Sequence, residues 1–210
     1  IYNSADTRTC SEAQMQQWGS LPEGIVSHLG TEKVNIDVEF EIPKAPYFVT
    51  IGTIEPRKNH AFLLGLWDEL GPYAPELHII GGRGWNNDAV FAHLDSMPKE
   101  GPVFERTGLT DGQMLAVLKG ASGFLFPSHA EGFGLPPVEA AALGVPILSN
   151  DLPVIREILG DIPVYASVSD RYLWLNELKQ MAGADAALHP KRDFVPQSWA
   201  DHFNEVLRLI

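Results

Sequence analysis

The sequence predicts an α/β fold built on a doubly wound parallel sheet. From about residue 46 onward, short apolar runs alternate with amphipathic stretches of helical period. With 210 residues and 45% hydrophobic content, the chain is long and apolar enough to bury a real core. Strand, helix, strand, helix implies parallel strands covered on both faces, and right-handed crossovers then wind helices onto each side. The apolar runs "YFVTIG" (47–52), "LHIIGG" (77–82), "VF" (103–104), "GFLFP" (123–127), "PILSN" (146–150) and "IPVY" (162–165) read as buried strands. Between them "HAFLLGLWDEL" (60–70), "NDAVFAHLDSM" (87–97), "DGQMLAVLKGA" (111–121), "PVEAAALG" (137–144), "PVIREILG" (153–160) and "DRYLWLNELKQMA" (170–182) read as helices.

The two ends break the alternation. Residues 1–45 hold a weak helical segment around "SEAQMQQWG", a short apolar piece "GIVSHLG" and a mixed stretch "TEKVNIDVEFEIPKAP" that reads as a linker. At the other end "VPQSWADHFNEVLRLI" reads as an amphipathic helix after Pro196, set off by the loop "ALHPKRDF". The start, without methionine and in mid-pattern, leads us to expect a piece of a longer protein.

Composition narrows the function classes. Fifteen basic against 27 acidic residues give a net charge of −12 with no polybasic run, which argues against sequence-independent nucleic-acid binding. Single basic residues can still hold a phosphorylated small molecule. Cys10 is the one cysteine, so there is no internal disulfide or cysteine metal cluster, and a reducing compartment fits. The seven histidines show no metal-ligand spacing. No apolar run approaches the ~20 residues of a spanning helix, and "IYNSADTRTC" is not a signal-peptide pattern.

In an open parallel sheet, ligands bind beyond the carboxyl ends of the strands, which singles out three loops. In "GTIEPRKNH" (52–60), Asn59 is expected to cap the helix beginning near His60, which sets Arg57 and Lys58 just before a helix N-terminus. Cations are unfavourable there, and a bound phosphate would remove the conflict; two solvated surface cations are the plainer alternative. In "GGRGWNND" (81–88) the glycines lack dinucleotide-fingerprint spacing; Arg83 and Trp85 could line a cleft, although a tight turn explains the spacing as well. In "SHAEGFGLPPVEAAALGVP" (128–146) a helix is expected to start near Pro136 or Pro137, with free N–H groups around Phe133 to Leu135 and Glu139 one turn in. The plain alternative makes Glu139 a dipole partner and Glu131 a surface residue. Two carboxylates flanking a glycine turn also suit hydroxyl recognition, because a carboxylate accepts two hydrogen bonds from a vicinal diol.

The combination of "GTIEPRKN", "GGRGW", "VFERTGLTDGQMLAVLKGASGFLFPS" and "EGFGLPPVEAAALGVPILSND" resembles the nucleotide-sugar-binding half of the group 1 (family 4) retaining glycosyltransferases. The likeness covers about residues 46–182, and the E-x7-E element with an internal Gly-Phe-Gly is its specific part. It implies one Rossmann-like half of a GT-B architecture: residues 1–45 as the remnant of an acceptor-side domain and linker, 46–192 as the donor-binding domain, 193–210 as a C-terminal helix. It implies further that Lys58 and Arg57 hold the donor diphosphate beside Gly52 and Thr53, where family members more often carry an arginine in place of Thr53. Glu139 would bind the ribose hydroxyls, and Glu131 would face the transferred sugar as a positioning and electrostatic residue. The backbone at Phe133, Gly134 and Leu135 would contact sugar and phosphate, Gly82 and Arg83 would line the donor cleft, and Phe104 and Arg106 would lie by the base.

The implied reaction is metal-independent, retaining transfer of a hexose, with mannose a candidate, from a GDP- or UDP-linked donor to a glycan or lipid-linked acceptor. No cofactor and no nucleic acid take part, and polysaccharide biosynthesis at the cytoplasmic face of a membrane, through peripheral association, is the expected setting. A noncatalytic nucleotide-sugar-binding module and a sugar-nucleotide epimerase of the same scaffold are the alternatives. The absent fingerprint argues against a nicotinamide-dependent dehydrogenase.

Overall fold

The computed structural model describes residues 27–31, 34–44, 46–183 and 193–208. Six parallel strands, β1 (Tyr47–Ile51), β2 (Glu76–Ile80), β3 (Val103–Arg106), β4 (Gly123–Phe126), β5 (Ile147–Ser149) and β6 (Val164–Tyr165), form one sheet in the order β3-β2-β1-β4-β5-β6. The helices are α1 (His60–Leu70), α2 (Asp88–Ser96), α3 (Asp111–Gly120), α4 (Leu135–Ala142), α5 (Pro153–Leu159), α6 (Arg171–Ala182) and α7 (Trp199–Leu207). Single 3-10 turns occupy Pro56–Lys58 and Gly71–Tyr73. The expected doubly wound architecture is present, with α4 beginning at Leu135, ahead of the two prolines.

Every residue of β1 is buried, which is why "YFVTI" runs apolar without alternation: helices cover it above and below. On one face Tyr47, Val49 and Ile51 pack with Leu118 of α3, Val138 of α4 and Ile155 of α5. On the other Phe48 meets Trp67 of α1, Leu94 of α2 and Trp174 of α6. Each large side chain so buried contributes roughly 1.5–3 kcal/mol. Tyr47 remains in this core because its hydroxyl donates to the Val117 carbonyl at 2.7 Å; burial pushes its phenol up to about 12. The strand expected at 103–104 extends to Arg106, because among the described residues β3 is an edge paired with β2 alone and tolerates the polar Glu105 and Arg106.

The stretch read as a linker lies against this body. Leu29, Val34, Ile36 and Phe40 pack on the first core face, and the Asp37 N–H donates to the Gly112 carbonyl at 3.1 Å. Thr31 N–H donates to the Gln197 carbonyl at 2.9 Å, just before Ser198 caps α7. The expected helical segment "SEAQMQQWG", the 187–192 part of the loop "ALHPKRDF" and the boundary at residue 192 lie outside the described residues.

The loops after β1 and β2 touch so closely that they require glycine. Gly81 has φ 151°, and a Cβ built there would fall onto the Gly52 carbonyl oxygen, whereas one on Gly82 would meet nothing within 4 Å. Gly81→Ala is therefore expected to cost roughly 1–3 kcal/mol and Gly82→Ala close to nothing. Urea unfolding midpoints of the two variants, compared with the parent chain, check the contrast.

Candidate functional site

Strand order reverses between β1 and β4, so their following loops leave toward opposite faces and open a crevice at the carboxyl edge. Three contacts fasten the two loops together. Asn59 does not cap α1 with its side chain as its position suggests; it takes a left-handed conformation (φ 57°) and donates its amide to the Pro127 carbonyl at 3.2 Å. Asparagine tolerates that backbone better than most residues, which frees the side chain for the longer reach. The His129 N–H donates to the Arg57 carbonyl at 2.9 Å. The third contact is ionic.

Glu131, from the β4 loop, lies with its side chain only 7% exposed against both cations of the β1 loop. Lys58 Nζ is 2.8 Å from Glu131 Oε1, and the Arg57 guanidinium donates to Glu131 Oε2. Arg57 also donates to the Ala130 carbonyl at 3.0 Å and, at its other end, to Glu55 Oε1 at 2.6 Å. Burial is the largest single influence on the guanidinium and acts to lower its proton affinity, but Glu131 and then Glu55 together outweigh it and raise the group above its ordinary range. Lys58 reaches Glu131 by crossing Gly52, where a Cβ would sit 2.9 Å from Lys58 Cε, and its ammonium lies 5.4 Å from the centre of the Phe126 ring. The helix-end conflict expected for these cations is met by a protein carboxylate. Thr53 is exposed and adds no charge.

Past Glu131 the chain turns into α4 through Gly134, whose φ of 97° and contact with Ile155 require glycine. Phe133 packs into the core, its ring 6.0 Å from that of His28, while Leu135 is 37% exposed at the helix start. Leu135 carries the first of the helix N–H groups that lack an intrahelical acceptor. One turn on, Glu139 lines a cavity of about 270 Å³ with Thr31, Asp111, Met114, Leu115 and Trp199. Burial, and then the charge of Asp111, push its carboxyl above the usual range. Among the described residues it makes no hydrogen bond or ion pair.

The remaining expected donor residues have the following protein partners. The Arg83 guanidinium donates to Glu105 at 2.6 and 2.9 Å and to Asp95 at 2.7 Å, and lies over the Phe91 ring. The Gly82 carbonyl accepts from Ile54 N–H at 2.9 Å. Phe104 stacks on His78 with centroids 5.0 Å apart, and Arg106 donates Nε–H to His78 Nδ1 at 2.8 Å. That acceptance leaves His78 Nε2 as the donor to Glu76, and burial foremost, with Arg106 adding to it, lowers the imidazole's affinity for a proton.

Sequence reasoning missed four residues that the fold brings to these sites. Glu55 stands in the quoted loop, two positions before Arg57, and that spacing is its signal. Asp111 opens a helix and reads as a dipole partner. Trp199 and Thr31 reach the Glu139 cavity only through long-range packing, for which the sequence holds no signal. His60 follows Asn59 at the start of α1 and is buried, with neither ring nitrogen partnered among the described residues.

The family described as "Glycosyl transferases group 1" matches residues 32–162. The chain is 35% identical over 126 residues to the "Serotype-specific mannosyltransferase WbdA" of Escherichia coli, a match covering 59% of this chain and 16% of that protein. It is 30% identical over 136 residues to the "O-antigen chain mannosyltransferase B" of Escherichia coli (63% and 35%). To the "O-antigen chain mannosyltransferase RfbU" of Salmonella typhimurium it is 24% identical over 167 residues (78% and 46%). The chain thus spans less than half the length of these curated relatives. Among solved structures it superposes on TarM with a TM-score of 0.73 at 15% identity, covering 100% of this chain and 42% of that one. On the sucrose-phosphate synthase of Thermosynechococcus elongatus it scores 0.70 at 18% identity, covering 100% and 56%. At such identities the likeness shows a shared Rossmann-like fold.

His60 carries a pH signature that can be measured. Burial, helped by the Lys58 charge, lowers its imidazole to about 4, so the folded chain keeps it neutral where the unfolded chain binds a proton. Stability is then fully present above about pH 6.5 and falls by the order of 3 kcal/mol as pH drops to 4. His60→Phe should flatten that part of the pH profile, read by urea unfolding at pH 7, 5.5 and 4.

Proposed function

The chain belongs to the group 1 glycosyl transferases, and on that premise we propose that it is the donor-binding part of a glycosyltransferase. The donor is a nucleotide-diphosphate sugar with GDP or UDP as carrier, and the transferred unit is a hexose, mannose first among candidates given the relatives' names. The acceptor is a glycan or lipid-linked glycan held by a part of the protein outside this chain. One observation carries the reading: at the β1/β4 crevice, two cations from one loop meet the turn of the other that leads into the Glu139 cavity.

On this reading Lys58 and Arg57 grip the diphosphate and stabilise the negative charge that grows on it as the glycosidic bond breaks. That charge neutralisation by side chains suits a metal-independent reaction. Glu131 exchanges its cation partners for the donor and turns to the sugar, where it orients hydroxyls and stabilises positive charge at the anomeric carbon without forming a bond. Leaving-group help from the same face accounts for retention of anomeric configuration. Glu139, partly buried and unpaired among the described residues, accepts the ribose diol, and the Phe133–Leu135 backbone borders sugar and phosphate.

Peripheral work at a cytoplasmic membrane face is part of the proposal; among the described residues no helix is long and apolar enough to cross a membrane. A noncatalytic donor-binding module is the second reading, favoured by the two carboxylates, Glu55 and Glu131, that already neutralise Arg57 and Lys58. Sugar transfer by the longer protein, abolished by Lys58→Ala, separates the two.

A ligand at 100 times its Kd adds about 2.7 kcal/mol, several degrees in melting temperature for a chain of this size. GDP, UDP, ADP and their sugar conjugates are the panel; a melting curve that none of them moves defeats the reading. Glu139→Gln should weaken the nucleotide that binds by about 10-fold. It should leave the melting temperature at pH 7 equal or higher. The raised carboxyl makes the folded state the stronger proton binder, so the ionised side chain costs stability as pH rises above the ordinary glutamate range. Lys58→Ala should weaken binding by about 10- to 100-fold and reduce its salt dependence, read by calorimetric titration.

A further inference from the structure

We propose that Glu55 is a positioning residue of the diphosphate site: it holds one end of the Arg57 guanidinium so that the other end is presented to the donor. The inference rests on the donor-binding reading above. It starts from a charge balance. Arg57 and Lys58 face Glu55 and Glu131, two cations against two carboxylates, with both carboxylates almost fully buried while Arg57 remains 44% exposed. A diphosphate cannot simply join a neutral cluster; it must take the place of a carboxylate.

Backbone and contacts say which one leaves. Glu131 touches both cations, so it stands where an anion bridging them would stand, and the residue after it, Gly132, is exposed, with nothing within 4 Å of where a Cβ would lie. Among the described residues the Glu55 carboxylate bonds to Arg57 alone, through NH2, and Glu55 sits on a constrained backbone: Ile54 before it is bonded through both its N–H, to Gly82, and its carbonyl, to Gly84, at 2.9 and 3.1 Å, and Pro56 follows. Glu55 therefore stays. Guanidinium suits this arrangement because its donors form a rigid fork with two usable ends, whereas an ammonium is a single point of charge.

The positioning role and a bare charge effect have opposite signs. If Glu55 acted only through its negative charge, removing that charge would tighten binding of an anion nearby. If it acts by holding Arg57, removing it loosens the guanidinium and weakens binding. The test is calorimetric titration of the full chain with whichever of GDP and UDP binds the parent more tightly, using Glu55→Gln, Arg57→Ala, the double variant and Arg57→Lys, with melting temperatures measured alongside. Glu55→Gln is expected to lose about 10-fold in affinity in the parent background and nothing when Arg57 is already alanine. Arg57→Lys is expected to lose about as much as Arg57→Ala, and it decides the matter alone if Glu55→Gln does not fold. Unchanged or tighter binding in Glu55→Gln, an equal loss in both backgrounds, or parent-like binding by Arg57→Lys overturns the role of Glu55 and leaves the donor-site reading standing. Failure of the parent chain to bind either nucleotide removes both.

Discussion

Parallel pairing of β1 with β4 at the centre of the sheet is the constraint on which the remaining features of this molecule depend. With Phe48 opposite Gly123 and Val49 opposite Phe124, the strands end side by side, and their loops must leave to opposite faces. Residues 73 apart in sequence, Lys58 and Glu131, are thereby brought within hydrogen-bond distance. The cluster at that point is costly to bury, because each charge loses hydration that Coulomb attraction restores only when the geometry is good. Here each cation meets at least one carboxylate oxygen, and the loops are held independently by Asn59 on Pro127 and His129 on Arg57. Asn150 extends the brace, donating to the Ser128 carbonyl at 2.9 Å and accepting from Val168 N–H at 3.3 Å.

Around that brace several groups work against stability. Glu139 is partly buried beside another carboxylate, His60 is buried without a hydrogen-bond partner among the described residues, and the Ser128 hydroxyl is fully buried and likewise unpartnered. Folding alone would favour apolar residues at such positions, since unpaired polar groups lose more on burial than they gain. All three sit on the loops or helix starts that follow β1 and β4, the edge at which open parallel sheets bind ligands.

The chain ends complete the site from outside the alternating pattern. Ser27 is buried, donates to Glu205 at 2.8 Å and lies 3.0 Å from His202 Nδ1, which also faces the His28 carbonyl at 2.8 Å. A carbonyl can only accept, so Nδ1 carries the proton and the serine hydroxyl proton goes to Glu205. This is a fastening of the 27–31 segment to α7 and not a nucleophile–base pair. Its result is that Gly30 packs on the Trp199 backbone, and both residues wall the Glu139 cavity.

Periodicity within a dozen residues was enough for most of the fold. Strands covered on both faces read as unbroken apolar runs, and the amphipathic period marks the helices between them. The ends of elements were less legible: β3 extends into Glu105 and Arg106 because an edge strand has one neighbour, and α4 begins before its prolines because Gly134 supplies the turn. Asn59 shows the limit most plainly. Its sequence position signals a cap, yet a carbonyl 68 residues away is the acceptor it uses. The sequence by itself determined the alternating parallel architecture, the family resemblance and the charged and glycine-rich types at the two central loops, since those depend on neighbouring residues. Only the tertiary structure decided that Glu131 lies on Lys58 and Arg57, that Glu55 grips Arg57 from behind, and that Trp199 closes on Glu139. Those contacts depend on strand order and on packing between distant segments, which hydrophobic periodicity does not encode.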